Sequence, residues 1–249
     1  MRIALHAVGD AGERAGRILL AERTLAALGL YGHTGSPVAD RRTIAIRELT
    51  GYDLLLTDDV EAATAFAGIA LDDGLHCVLS SDMVEGNLGE RYAAAGLTLL
   101  VGSGSVASIA ASLASHEVAR TDEVSSLTIA WTIPGKPLHR GVAVAFPDPV
   151  GARWGRLVGR SPDRVAVPVD GEWAGAAATV IGRIGADPVQ RMVGVADHRG
   201  HLEGIALAAG ALAVLDGGVG PGLHRPGEVP DAYLSAALRV GLGVAAYTQ

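Results

Sequence analysis

Short apolar runs alternate with segments of helical spacing through the first half of the chain. Arg2–Val8, Leu25–Tyr31, Tyr52–Thr57, His76–Ser80 and Leu97–Val101 read as strands. Between them, Glu13–Arg23 (Ile18 and Leu19 inward), Val60–Leu71, Glu85–Ala95 and the Ala-rich Ser105–Arg120 read as helices. Ser105 is placed to cap the last of these, and Asp58 and Asp59 suit the start of Val60–Leu71. Short apolar strands with helices between them predict a parallel sheet covered on both faces.

The pattern changes near Thr121. Ser125–Ile133 is longer and more β-like, and Pro134-Gly135-Lys136-Pro137 is a turn by composition. Val142–Phe146, Val165–Val169 and Arg191–Ala196 add strands, with a break at Pro147-Asp148-Pro149. Asp197-His198-Arg199-Gly200 reads as a hairpin turn, Leu207–Leu215 as a helix, and Asp231–Tyr247 as a final helix after Pro230. The expected architecture is α/β. An N-terminal Rossmann-like parallel-sheet domain (residues 1–122) precedes an α+β substrate and dimerisation domain (residues 123–230). The last helix is free to return to the first domain.

Composition narrows the class. Hydrophobic residues are 49% and charged residues 19% of 249, so the chain is globular rather than disordered. The formal charge of −7 argues against nucleic acid as a partner. Cys77 is the one cysteine, which excludes a disulfide within the chain and a Cys-based zinc site. The longest apolar run, Gly204–Leu215, is too short to span a bilayer, and the N-terminus lacks the pattern of a secretory signal. A soluble, cytoplasmic protein is expected. Lys136 is the sole lysine among 20 basic residues, a skew that a GC-rich coding sequence explains.

The first strand leads into Val8-Gly9-Asp10-Ala11-Gly12 and then a helix. That is where a dinucleotide pyrophosphate meets backbone N–H groups, with glycine permitting the tight turn and the close approach. The glycines are spaced G-x-x-G-x-x-x-G through Gly16, and Asp10 and Glu13 bring negative charge near the proposed phosphate. An ordinary βα turn in a glycine-rich chain is the plainer explanation. The second strand ends Tyr31-Gly32-His33-Thr34, without the acid that binds the adenine ribose of NAD. Arg41 and Arg42 follow, which favours the 2′-phosphate of NADP(H) over NAD(H), unless they only open a solvated segment.

With these segments in order, the chain resembles the NAD(P)-dependent reductases of the saccharopine-reductase and dihydrodipicolinate-reductase type. Gly9-Asp10-Ala11-Gly12 resembles the turn of the latter, with its third glycine one residue late. Ser80-Ser81-Asp82 stands where that family has a Gly-Thr-Thr-Gly turn near the nicotinamide, and Gly102-Ser103-Gly104-Ser105 where saccharopine-type reductases have a G-x-G turn. Gly210–Gly222 and Pro226-Gly227-Glu228-Val229 resemble the closing segment of the saccharopine type. Ile133-Pro134-Gly135-Lys136 falls where dihydrodipicolinate reductases carry a proton-donating lysine. The family's His pair and Ser-Gly-Thr motif are replaced by Leu138-His139-Arg140-Gly141, so dihydrodipicolinate itself is not the expected substrate. The resemblance implies a Rossmann domain, a nicotinamide cofactor and a second domain that binds substrate and pairs subunits.

The resulting expectation is an NADP(H)- or NAD(H)-linked oxidoreductase of a small imine, aldehyde or keto compound, active as a homo-oligomer. Gly9, Asp10, Ala11, Gly12, His33, Thr34, Arg41, Arg42, Thr57, Asp58, Ser80 and Ser81 would contact the cofactor. Lys136 and His139 would be catalytic, and Arg140, Ser103 and Ser105 would hold substrate. Helix capping explains the strand-end hydroxyls equally well, and a solvated hairpin tip explains the cationic cluster. His198 and His201, three apart, give only a thin metal signal, and no metal is expected. Trp131, Trp154 and Trp173 read as packing residues. The alternative is a Rossmann-like binding or regulatory protein with a degenerate cofactor site. A structural oligomer with a vestigial site is a third reading.

Overall fold

The computed structural model describes residues 1–32 and 40–249. The first part runs β1 (Arg2–His6), α1 (Asp10–Ala21), β2 (Ala27–Tyr31), β3 (Thr43–Ile46), β4 (Leu54–Thr57), α2 (Ala63–Asp72), β5 (His76–Leu79), α3 (Leu88–Ala94), β6 (Thr98–Leu100) and α4 (Val106–Ala119). The strands β3-β2-β1-β4-β5-β6 lie in that order and pair in parallel. The chain direction across the sheet reverses between β1 and β4, which is the topological switch point where such sheets bind ligands. Successive residues serve opposite faces. Ile3, Leu5, Leu54 and Leu56 pack with the α1 and α4 side, whereas Ala4, Leu55, Cys77 and Leu79 pack with α2 and α3. On α1, Gly12, Ala15, Gly16, Leu19 and Leu20 form the buried stripe that 3.6-residue periodicity requires.

The second part adds β7 (Glu123–Pro134), β8 (Val142–Ala145), β9 (Ala152–Gly159), β10 (Asp163–Val169), β11 (Trp173–Ile184), β12 (Asp187–His198), α5 (Arg199–Leu215), β13 (Gly222–His224), α6 (Pro230–Arg239) and β14 (Ala245–Thr248). A second seven-stranded sheet is ordered β14-β12-β11-β7-β10-β9-β8, with β7 and β10 parallel and the other pairs antiparallel. Its inner face, including Ile129, Ala176, Ala178, Val193 and Val195, packs into one continuous core with α4 and α5.

Three local expectations change. No hairpin turn forms at Asp197–Gly200: β12 runs to His198 and α5 begins at once, because Leu202, Ile205 and Ala209 extend the apolar helix face backwards. The final helix ends at Arg239. Gly241 then takes a φ of +106°, and β14 pairs with β12. The second domain does not run unbroken to residue 230. β13 joins the edge of the first sheet beside β6, and α5 and α6 cover that sheet. Pro230 and Asp231 do open α6, which returns to the first layer, where the Tyr233 hydroxyl donates to the Ser103 carbonyl at 3.4 Å. The small residues of Gly204–Val214 serve contacts within the chain. A Cβ on Gly204 would stand 2.6 Å from the Arg14 side chain, and α5 is buried from Gly204 to Val214.

Candidate functional site

The crevice at the switch point is built by the ends of β1 and β4. Gly9 sits in extended conformation at the start of α1 and offers no side chain to cap it. The cap comes instead from Asp58, just beyond β4. Its carboxylate accepts hydrogen bonds from the backbone amides of Val8 (2.8 Å), Gly9 (3.0 Å) and Gly12 (2.9 Å). A helix N-terminus has unpaired amides and positive potential, so an anion placed there is stabilised twice. The glycines are used as a phosphate site would use them. A Cβ on Gly9 would lie 3.3 Å from Asp58 Oδ2, and one on Gly12 would lie 2.8 Å from both Ala7 Cβ and Asp58 Cγ. In this register the turn is Ala7-x-Gly9-x-x-Gly12, the spacing of a G-x-G-x-x-G turn with alanine in the first place. Gly16 faces β1 instead, where a Cβ would meet Leu5 at 2.8 Å.

Asp59 points the other way. Its Oδ1 accepts the amides of Glu61 (3.1 Å) and Ala62 (3.0 Å), and its Oδ2 lies 3.6 Å from His6 Nε2. Of the two acids expected at the second helix, only Asp59 serves that start. His6 also bonds the Tyr31 carbonyl through Nδ1 (3.0 Å) and lies against Phe66, ring centroids 4.3 Å apart. His6, Tyr31 and Phe66 thereby close the crevice beside the cradle. Thr57 is buried, and its hydroxyl accepts the Asp59 amide at 3.0 Å.

Ser81 donates to the Met83 carbonyl (3.1 Å) and accepts its amide (3.2 Å), a local turn. Ser103 is buried and donates to the Ala206 carbonyl at 3.0 Å, tying β6 to α5 rather than facing a ligand. Ser105 caps α4, accepting the Ser108 amide at 3.1 Å. Ser80 differs: its hydroxyl is buried at the end of β5 without a hydrogen-bond partner among the described residues. Asp10 and Ala11 open α1, and Asp10 lines an interdomain cleft of about 770 Å³ with Arg14, Glu172 and Arg199. One guanidinium nitrogen of Arg199, Nη2, is also buried and without a partner among the described residues.

Arg41 and Arg42 do not reach the crevice. Both precede β3, which runs parallel to β2 from its Leu28 pairing, so they lie at the amino edge of the sheet. Arg42 is fully engaged there. It binds both carboxylate oxygens of Asp40 (Nε 3.1 Å, Nη2 3.0 Å) and the Glu22 carbonyl (3.2 Å), and it also donates to the Leu20 carbonyl at the end of α1. That guanidinium holds Asp40 well below the usual carboxylate range, at about 2. His33 and Thr34 lie outside the described residues.

Lys136, His139 and Arg140 are exposed on the loop between β7 and β8 and make no ion pair among the described residues. His139 and Arg140 share a groove with Gly155, Arg156 and Leu157 of the second sheet, and no residue of the β1–β4 crevice lines it. A smaller cleft of about 300 Å³ does join the two domains. Asp82, Gly102 and Ser105 line it from the first, Trp131 and Arg164 from the second, with Arg225 beside them. Trp154 is exposed, and Trp173 stacks on His198 with centroids 4.2 Å apart. His198 and His201 pair with Glu172 (3.6 Å) and Asp197 (2.9 Å), and no metal-holding group occurs among the described residues.

The sequence did not flag three features of this site: the Phe66 wall, the two arginines of the small cleft, and the use of Asp58 as a cap 46 residues away. The only signal for the last was a carboxylate directly after a buried strand end.

No protein-family model matches the chain, and no curated protein is similar to it in sequence. Solved structures share its fold across both domains. Dipicolinate-bound dihydrodipicolinate reductase from Paenisporosarcina sp. TG-14 superposes with a TM-score of 0.54 at 9% identity, covering 92% of this chain and 98% of that one. An engineered D-amino acid dehydrogenase bound to NADP+ gives 0.55 at 14%, covering 94% and 95%. The DAP dehydrogenase of C. glutamicum in complex with DAP gives 0.53 at 12%, also covering 94% and 95%. At these identities the likeness establishes the architecture alone: an N-terminal Rossmann-type domain followed by an α+β domain.

Proposed function

We propose that this protein is an oxidoreductase using a nicotinamide dinucleotide to reduce or oxidise a small carbonyl or imine compound. One observation carries the reading. At the switch point, the amides of Val8, Gly9 and Gly12 converge on a single anionic group, with glycine where a Cβ would intrude. This donor set fits a phosphate, and the orphaned Ser80 hydroxyl at the neighbouring strand end fits a polar cofactor group. The dinucleotide, when bound, supplies the hydride chemistry. The chain's own part is to hold the pyrophosphate on those amides and to seat the substrate in the small interdomain cleft. There Arg164 and Arg225 offer cationic partners for a substrate carboxylate, and Ser105 and Asp82 sit beside them. The architecture shared with the dehydrogenase bound to NADP+ supports the same reading. Arg41 and Arg42 lend no support to a preference for NADP(H), because they lie at the opposite edge of the sheet.

A second reading is favoured by one specific observation. The cradle is filled by the protein's own carboxylate, which suits a Rossmann-like binding protein without hydride chemistry. Titration with NADPH and NADH, followed by nicotinamide fluorescence, separates the two. Binding of either in the micromolar range, with turnover of a carbonyl or imine panel, is expected for the oxidoreductase. Binding without turnover selects the second reading, and no binding near a millimolar removes the first.

A further inference from the structure

We infer that Asp58 is a built-in competitor of the cofactor: its carboxylate occupies the phosphate cradle and must swing out before a dinucleotide can enter. The inference rests on the dinucleotide reading above and concerns the regulation of that same site.

Geometry gives three reasons. First, both Asp58 carboxylate oxygens are used on the cradle, Oδ1 on Val8 and Oδ2 on Gly9 and Gly12. A phosphate seeking those amides meets a like charge already at hydrogen-bond distance from them, and the two anions cannot share the donors. Second, the flanking backbone is held independently of that carboxylate. Thr57 is buried in β4, and Asp59 is fixed by the Glu61 and Ala62 amides and by His6. Third, Asp58 is half-buried at the mouth of the crevice rather than sealed in the core, so rotation about its own side-chain bonds carries the carboxylate toward solvent while the backbone stays in place. The cradle therefore has two states, closed on Asp58 or open to an external anion. A ligand binding only the open state loses affinity by the fraction of molecules in it.

A local cap and a competitor predict different things. Both roles make removal of the carboxylate destabilise the free protein. Only a competitor makes removal tighten anion binding. The test compares wild-type protein with Asp58→Ala, which empties the cradle, and Asp58→Asn, which keeps the side-chain volume but not the charge. Glu61→Gln removes the same charge nearby from an exposed position outside the cradle. Each is titrated with NADPH, NADH and inorganic pyrophosphate by calorimetry, and melted without ligand.

Expected for Asp58→Ala is a gain of about 100-fold in affinity for at least one dinucleotide, from release of hydrogen bonds to a charged group. Its unliganded Tm should fall by roughly 3–8 °C. Asp58→Asn should move the same way by less, and Glu61→Gln should match wild type. If Asp58→Ala binds pyrophosphate more tightly than wild type but neither dinucleotide, the competitor role stands and the oxidoreductase reading falls. Equal affinities in wild type and both Asp58 variants overturn the competitor role and leave that reading intact. Failure of both variants to bind any of the three anions overturns it as well. Should Asp58→Ala not fold, Asp58→Asn decides by the same criteria.

Discussion

The two sheets of this protein bury their residues differently. In the first, strands such as β4 are buried along their whole length, because helices cover both faces. In the second, the cover is partial: Phe146 and Val150 bury Ala130, Val165 and Val167 away from the main core, while Leu157, Val158 and Ile181 are exposed. The contrast extends to polar groups. At the β1–β4 crevice nearly every polar side chain already has a partner within the chain. On the β7–β8 loop, Lys136, His139 and Arg140 stand free of ion pairs among the described residues. His139 and Arg140, prominent in sequence, thus line a groove that no cradle residue shares, while a single unremarkable aspartate occupies the cradle.

The largest effect that would sharpen this contrast is in the core. Leu56→Ala, in a fully buried β4 position, should cost about 2–5 kcal/mol in denaturant unfolding, whereas Val158→Ala on the open sheet should stay within about 0.5 kcal/mol. Comparable losses would mean that the second sheet's open face is covered in solution. Next is Gly12→Ala. Its new methyl must displace Ala7 or Asp58, so a loss of about 1–3 kcal/mol is expected, with weakened anion binding. A neutral result would show that the cradle is looser than its contacts imply.

Ser105→Ala, removing the α4 cap, should cost about 1 kcal/mol, and Lys136→Ala should leave stability within about 0.5 kcal/mol. Once a substrate is found, unchanged turnover in Lys136→Ala would confine chemistry to the interdomain clefts.

The smallest effect is a pH dependence. Burial lowers the pKa of His76, whose Nδ1 accepts the Thr98 amide at 3.0 Å. The unfolded chain therefore binds the proton more readily. Stability attributable to this group should be complete above the ordinary histidine pKa of about 6.5 and decline as pH falls through it toward the lowered folded value. Melting wild type and His76→Gln between pH 5 and 8, values set about the histidine range, should show a flatter profile for the variant. A parallel pair of profiles would assign the acid sensitivity elsewhere.

Much of this was legible from local pattern. The buried runs at Leu54–Leu56 and Cys77–Leu79, the helix between Ser105 and Arg120 and the glycine turn after β1 each follow from spacing that neighbouring residues enforce. Other elements were not legible. β3, with its exposed Ile44 and Ala45, and the three-residue β13 have too little pattern to announce themselves. The strand at Ala245–Thr248 was masked by helix-forming residues, and pairing with β12 overrides that preference.

The candidate site divides along the same line. Sequence alone determined that a glycine turn into a helix follows the first strand, since glycine, chain reversal and a helix start are local matters. It also determined that an α+β half follows a parallel-sheet half. Only the tertiary structure decided what occupies that turn. Asp58 reaches Gly12 across 46 residues because β4 lies beside β1 in the sheet. Arg42, close in sequence to the end of β2, lies at the far edge because β3 must run parallel to β2. Sequence proximity sets which turns and helices form, but strand order sets which charges meet.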